Sequence, residues 1–171
     1  MKKLSLILFS LFILFILSTH SISSEKIISG NAKVIDGDTI KINNKKIRLF
    51  GIDAPEKKQI CKKKYINFLI FNFQKDYKCG KESTLALLKK IGNRKVKCIL
   101  KKNKDIYKRS IGICYIKNKD INKWLVKNGY ALAYKRYSKK YVLDEQYAKE
   151  NKLGIWRGSF IEPEKWRRIM N

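Results

Sequence analysis

After His20 this 171-residue chain contains no histidine, and its acids are few: 14 Asp and Glu stand against 40 Lys and Arg, a formal net charge of +26. The missing histidine excludes a Ser-His-Asp triad, a histidine general base and a histidine phosphoenzyme. Cysteine is limited to Cys61, Cys79, Cys98 and Cys114, with no C-x-x-C pair, so a zinc site lacks both its usual thiolate spacing and its imidazoles. Arginine is scarce as well, since lysine supplies nearly all the positive charge. No internal repeat and no low-complexity linker follows the N-terminal segment, and the length suits one domain with one core.

The one long apolar run lies at the start. Lys2 and Lys3 precede Leu4 to Leu17, apolar but for Ser5 and Ser10, and small polar residues follow through Ser24. That is the order of a secretory signal, here assigned to residues 1–23, with the mature domain over 24–171. An uncleaved anchor is the alternative, but the run is shorter than the roughly 20 residues of a membrane span. No cysteine follows the run to carry a lipid. The mature protein is expected to be secreted or periplasmic, with no stable membrane span after cleavage, and to be a monomer. In an oxidising compartment an even cysteine count reads as disulfides, and the simplest of three pairings joins Cys61 to Cys79 and Cys98 to Cys114. Cleavage removes only Lys2 and Lys3 from the charge. A field this positive attracts polyanions, nucleic acid first and an anionic membrane or wall polymer second.

Coarse patterning gives strands before helices. Ile27 to Ile35 alternates and ends at the turn pair Asp36-Gly37; Thr39 to Ile42 returns, Asn43-Asn44 turns again, and Ile47 to Ile52 is a third strand. Val96–Lys101 and Ile111–Ile116 read as a hairpin centred on Ile106, which sets Cys98 opposite Cys114. Helices are predicted over Glu82–Ile91, with Leu85, Leu87, Leu88 and Ile91 at mostly helical spacing, over Ile121–Asn128 behind an Asp120 cap, and over Leu143–Leu153. The fold class is therefore a small α+β barrel. Residues 57–80 form a cysteine-bracketed insert whose segment "YINFLIFNF" is apolar and aromatic. It reads as a disulfide-tied excursion packed on the barrel, with a docking or membrane-touching loop as the rival.

Against this basic background, "VIDGDTIKINNKKIRLFGIDAPE" gathers Asp36, Asp38, Asp53 and Glu56 around Arg48. Clustered carboxylates repel unless a cation joins them, and oxygen ligands favour Ca²⁺ or Mg²⁺. Without histidine, chemistry on a phosphodiester falls to carboxylates, arginines and a hard metal ion. Arg48 and Arg109 carry the planar fork that suits phosphate oxygens, a property lysine lacks. Each of these residues alone is commonly a turn or a surface charge; only the set together points to phosphodiester chemistry.

The combination DGDT, then R-L-x-G-I-D-A-P-E, then D-x-Y-x-R resembles the thermonuclease (staphylococcal nuclease-like) family, and "INKWLVKNGYALAY" and "NKLGIW" resemble its later segments. The insert and the tail "GSFIEPEKWRR" resemble an exported bacterial branch. The resemblance implies a five-stranded OB-fold barrel with about three helices, and a calcium-dependent nuclease acting on DNA and RNA with little sequence specificity and leaving 3′-phosphate ends. It implies that Asp38 and Asp53 ligate Ca²⁺ through carboxylates and Ala54 through its carbonyl, where the family often has threonine. Asp36 becomes a supporting acid, Glu56 acts on the attacking water, and Arg48 and Arg109 bind the scissile phosphate. Tyr107, Tyr134 and Tyr137 are candidate faces for stacking bases of the substrate. The rival reading is a non-catalytic OB-fold module that only binds nucleic acid.

Overall fold

Asn43 and Asn44 both take left-handed backbone, φ 45° and 62°, and so make the tight turn that folds β3 (Thr39–Ile42) onto β4 (Lys45–Leu49). The structure, a computed structural model, describes residues 25–68 and 71–170, without the side chains of residues 65–73. The expected leader over 1–23 lies outside the described residues.

Upstream, the expected first strand is two: β1 (Lys26–Gly30) and β2 (Ala32–Val34), parted only by Asn31. β1 pairs with β8 (Val96–Lys104), while β2 pairs with β3. The sheet order is β1-β8-β9-β4-β3-β2, with β9 (Ser110–Ile116) parallel to β4 and the two-residue β10 (Lys119–Asp120) attached to β9. Because Asn31 joins the sheet's two ends, the sheet must curl on itself. This is a five-segment α+β barrel of OB-like form, as the sequence leads one to expect. Alternation fills it: Ile40, Ile42, Ile47, Val96 and Cys98 are fully buried, and each branched aliphatic side chain so buried contributes about 1.5–3 kcal/mol.

The β8–β9 hairpin sets Cys98 directly opposite Cys114, and both cysteine pairs are disulfides, Cys61–Cys79 and Cys98–Cys114. Its tip carries Ile106, almost wholly exposed, and closes at Lys108 with φ 60°. The insert is a hairpin, β6 (Cys61–Phe68) and β7 (Phe71–Tyr77), which forms a three-stranded sheet with β12 (Gly158–Ser159). β5 (Ile52–Asp53) pairs separately with β11 (Leu132–Ala133).

Four α-helices are described, one more than the sequence suggested. α1 (Cys79–Ile91) starts before Glu82, and its buried face is Ser83, Ala86, Leu87 and Ile91; Leu85 and Leu88 face solvent, so the apolar spacing misplaced half of that stripe. α2 (Ile121–Lys127) is capped by Asp120, whose side chain accepts from the Lys123 amide. α3 (Val142–Glu150) stops short of Leu153 because Lys152 takes φ 50°. α4 (Pro163–Met170) is the unforeseen helix.

Candidate active site

The barrel brings the scattered acids to one place. Asp38 follows the Asp36-Gly37 turn, Arg48 lies on β4 and Asp53 on β5, and these elements converge at one mouth of the barrel. Arg48 Nη1 donates to Asp38 Oδ1 at 2.9 Å and Nη2 to Asp53 Oδ1 at 2.7 Å, so one guanidinium bridges both acids. Asp38 and Asp53 are almost fully buried, at 4% and 3% exposure. Unpaired charges there would be costly, and the bridging arginine offsets that cost. Asp38 also accepts from the Thr39 hydroxyl at 2.9 Å and, through Oδ2, from the Ala54 amide at 3.2 Å.

Arg109 reaches the same cluster from the hairpin tip. Its Nε donates to Asp105 at 2.6 Å, and Nη1 donates to the Thr39 hydroxyl at 3.2 Å, one bond removed from Asp38. Asp36 stands beside them, accepting from the Asp38 amide at 3.0 Å. Burial, and then the charge of Asp38, push its carboxyl up to about 6. Burial likewise pushes Asp53 up, against the pull of the two arginines bonded to it.

Glu56 stands at the rim with its side chain about one-third exposed. Its loop is fixed by the buried Gln59, whose Oε1 accepts from the Glu56 amide at 3.1 Å while the Gln59 amide donates back to the Glu56 carbonyl at 2.7 Å. Gly80, in the first turn of α1, lies so close that any side chain there would collide with the Glu56 carbonyl. The Cys61–Cys79 disulfide stands next to this contact.

One member of the cluster was not foreseen. Arg167, on α4, donates Nη1 to Asp53 Oδ1 and Nη2 to Asp53 Oδ2, both at 3.0 Å, and Nη1 again to Glu56 Oε1 at 2.8 Å. The sequence separation of 114 residues from Asp53 explains why no local pattern revealed it. Thr39, Gln59 and Glu145 were also missed. Glu145, 2% exposed, accepts from the Ala133 amide at 3.2 Å and so steadies β11, the strand that pairs with Asp53.

The tyrosines divide. Tyr107 is exposed at the tip, with the Arg109 guanidinium 5.3 Å from its ring centre. Tyr134 packs edge-on against the exposed Tyr137 at 4.8 Å between centroids, and its amide bonds to the Gly51 carbonyl beside β5. Burial, then the charges of Asp53 and Glu164, push the Tyr134 phenol up, as its place near the acids requires.

Every atom here able to hold a cation is oxygen, the donor set of a hard ion such as Ca²⁺. Asp38 Oδ2 and Asp53 Oδ2 each accept one of these hydrogen bonds and retain a lone pair. Yet no three acids among the described residues stand close enough to hold a metal as arranged. The positive charge between Asp53 and Glu56 is Arg167. The donors fit the ion in kind, and a cationic side chain now stands among them.

A curled OB-like barrel with buried acids and arginines at its mouth defines the class. A model of the family described as staphylococcal nuclease homologue matches residues 46–158, well over half of the chain, and the chain belongs to that family. Arg48, Asp53, Glu56 and Arg109 fall within that match; Asp36, Asp38 and Arg167 fall outside it. The chain is 37% identical over 145 residues to a Rhizobium meliloti protein named succinoglycan biosynthesis protein ExoI, covering 83% of this chain and 71% of that one. It is 32% identical to an uncharacterized endonuclease of Haemophilus influenzae, covering 85% and 76%. It is 30% identical to endonuclease YncB of Bacillus subtilis, covering 82% and 67%. Family membership supports a nuclease function.

Proposed function

We propose that this protein is an exported, calcium-dependent nuclease that hydrolyses DNA and RNA with little sequence preference and leaves 3′-phosphate ends. One observation carries the reading: Arg48 ties Asp38 to Asp53 in a buried cluster, and Arg109 joins it through Thr39. A module that only binds nucleic acid has no need of buried acids facing a polyanion. Calcium held by Asp38, Asp53 and the Ala54 carbonyl would supply positive charge to a non-bridging phosphate oxygen.

The chain's own residues do the rest. Arg48 keeps N–H donors beyond the two it gives to the acids, and Arg109 keeps donors beyond those on Asp105 and Thr39; both serve a phosphate. These donors stabilise the charge that builds as water attacks phosphorus in line. Glu56 orients that water and accepts its proton. The new P–O bond forms as the P–O5′ bond breaks, the water's proton goes to Glu56, and the departing 5′ oxygen takes a proton from solvent. Tyr107, Tyr134 and Tyr137 offer ring faces to bases, which a single strand presents most readily. Residues 1–23 act as the export signal, 24–171 as the nuclease domain and 57–80 as its insert, and two disulfides suit an oxidising compartment. Among the described residues, no helix is long and apolar enough to cross a membrane.

The test is hydrolysis of DNA and RNA by purified residues 24–171 with calcium or with chelator. Degradation of both with calcium, ended by chelator, is expected; activity untouched by chelator would refute the metal reading. Binding measured on the Glu56→Gln variant should weaken steeply with salt, because phosphate contacts release counterions. A flat salt response would mean that the lysine excess does not drive binding.

A further inference from the structure

The C-terminal helix α4 is fastened almost entirely by polar contacts at the site. Gln59 Nε2 donates to the Ile161 carbonyl at 2.7 Å, just before the helix. Arg136 Nη1 donates to Glu164 at 3.2 Å, tying the first turn of the helix to the segment after β11. One helical turn on, Arg167 grips Asp53 and Glu56. Of its apolar side chains Pro163 is buried and Trp166 half-buried, while Ile169 and Met170 face solvent at 67% and 62% exposure. Beyond Pro163 and part of Trp166 the helix has no apolar anchor, so its seat depends in large part on its ion pairs.

Those pairs take up part of the lone-pair capacity that a metal would draw on, filling Asp53 Oδ1 and leaving one lone pair on Asp53 Oδ2. A carboxylate oxygen accepts two hydrogen bonds. On Asp53, Oδ1 takes Arg48 and Arg167, and Oδ2 takes Arg167 again. On Glu56, Oε1 takes the same guanidinium. Like-charge repulsion sets a cation entering at Asp53 against Arg167 as well.

We propose that Arg167 is a displaceable internal cation: it holds Asp53 and Glu56 in the free enzyme and competes with calcium for them, so that metal binding releases α4 from the mouth of the site. The inference rests on the calcium reading above. Arg167 thereby positions the acids and sets the metal concentration at which the enzyme assembles. The apparent affinity of a site equals its intrinsic affinity reduced by the fraction of molecules in which the site is open; if the helix is seated in roughly nine molecules of ten, freeing the site tightens calcium about ten-fold.

Calorimetric calcium titration of residues 24–171 and of three variants tests this. Arg167→Ala should bind calcium about ten-fold more tightly than the wild type. Arg168→Ala, which loses one nearby charge but no contact with Asp53 or Glu56, should stay within about two-fold, while Arg167→Lys, cationic but unable to span both acids, should fall between. Hydrogen exchange gives a second readout: calcium should speed exchange of the α4 amides in the wild type. Equal calcium affinity of the wild type and Arg167→Ala, or α4 amides indifferent to calcium, would overturn the proposal while leaving the calcium reading intact. Calcium binding to none of the four proteins would overturn both.

Discussion

Two buried carboxylates lie on either side of the short β5–β11 pairing, and they hold opposite kinds of partner. Glu145 meets Lys135 at 2.7 Å and Lys149 at 3.1 Å, lysines about half exposed, and gives its other oxygen to the Ala133 amide. Asp53 meets Arg48 and Arg167, whose side chains are 16% and 28% exposed. Lysine is a hydrated point charge on a flexible stem, adequate for neutralising an acid that holds a strand in place. A planar fork fixes its partners in orientation and keeps donors free for another oxyanion. The same distinction runs through the chain. Six arginines form ion pairs, at positions 48, 109, 136, 157, 167 and 168, and Arg94 bonds instead to the Ile91 carbonyl at the end of α1. Lys123, Lys135, Lys140, Lys149 and Lys165 pair as well, but the far more numerous lysines chiefly supply the field, whereas every arginine is committed to a specific contact.

The sharpest way to break this contrast is to remove arginines at the site. Arg109→Ala should lower the hydrolysis rate about a hundred-fold or more with only a modest fall in melting temperature, since Asp105 keeps its bonds from the Tyr107 and Arg109 amides. Arg48→Ala should lose as much rate and also lose stability by roughly 3–5 kcal/mol, because it strips buried Asp38 of its charged partner and leaves Asp53 with Arg167 alone. Rate assays paired with denaturant melts check this; an Arg109→Ala enzyme of full activity would remove that residue from the site.

Opening the disulfides should come next. Each closes a loop of similar length, 18 and 16 residues in separation, and each is worth about 3 kcal/mol in the chain-entropy account. Their consequences should differ. Loss of Cys98–Cys114 frees the hairpin that carries Arg109 and should cost activity, whereas loss of Cys61–Cys79 should show chiefly as disorder of the insert. Single Cys pairs replaced by Ala, compared for rate below their melting points, separate the two; equal loss of rate would contradict the placement of Arg109.

Much of this was legible in the sequence, for local reasons. The Asn43-Asn44 turn, the Asp120 cap and the facing of Cys98 and Cys114 follow from residue chemistry within a few positions. What escaped depended on distant partners. α1 begins at Cys79 with no side-chain cap to announce it. The α4 segment does carry helix signals, Pro163 and Glu164 at its start and Arg167 and Arg168 at its end, but nothing nearby says where it docks. Nothing local marks Glu145 or Gln59 as buried, because burial of a polar group depends on partners remote in the chain.

A smaller effect belongs to Glu145. Glu145→Ala should destabilise the fold by about 2 kcal/mol, leaving the Ala133 amide without its acceptor, and hydrolysis below the melting point should stay near normal. A large loss of rate in a folded Glu145→Ala protein would mean that β11 positions Asp53 more tightly than a lysine-clamped acid should.

A division of labour between two glutamates of similar chemistry follows from the proposed function, with Glu56 acting in the reaction and Glu145 in the fold. Its most direct test is a matched pair, Glu56→Gln and Glu145→Gln, with DNA hydrolysis in calcium and thermal melting measured on both. A Glu56→Gln protein should melt like the wild type and lose about a hundred-fold or more in rate, while a Glu145→Gln protein should melt earlier and cleave normally while folded. A Glu56→Gln protein that cleaves at the wild-type rate would contradict that division.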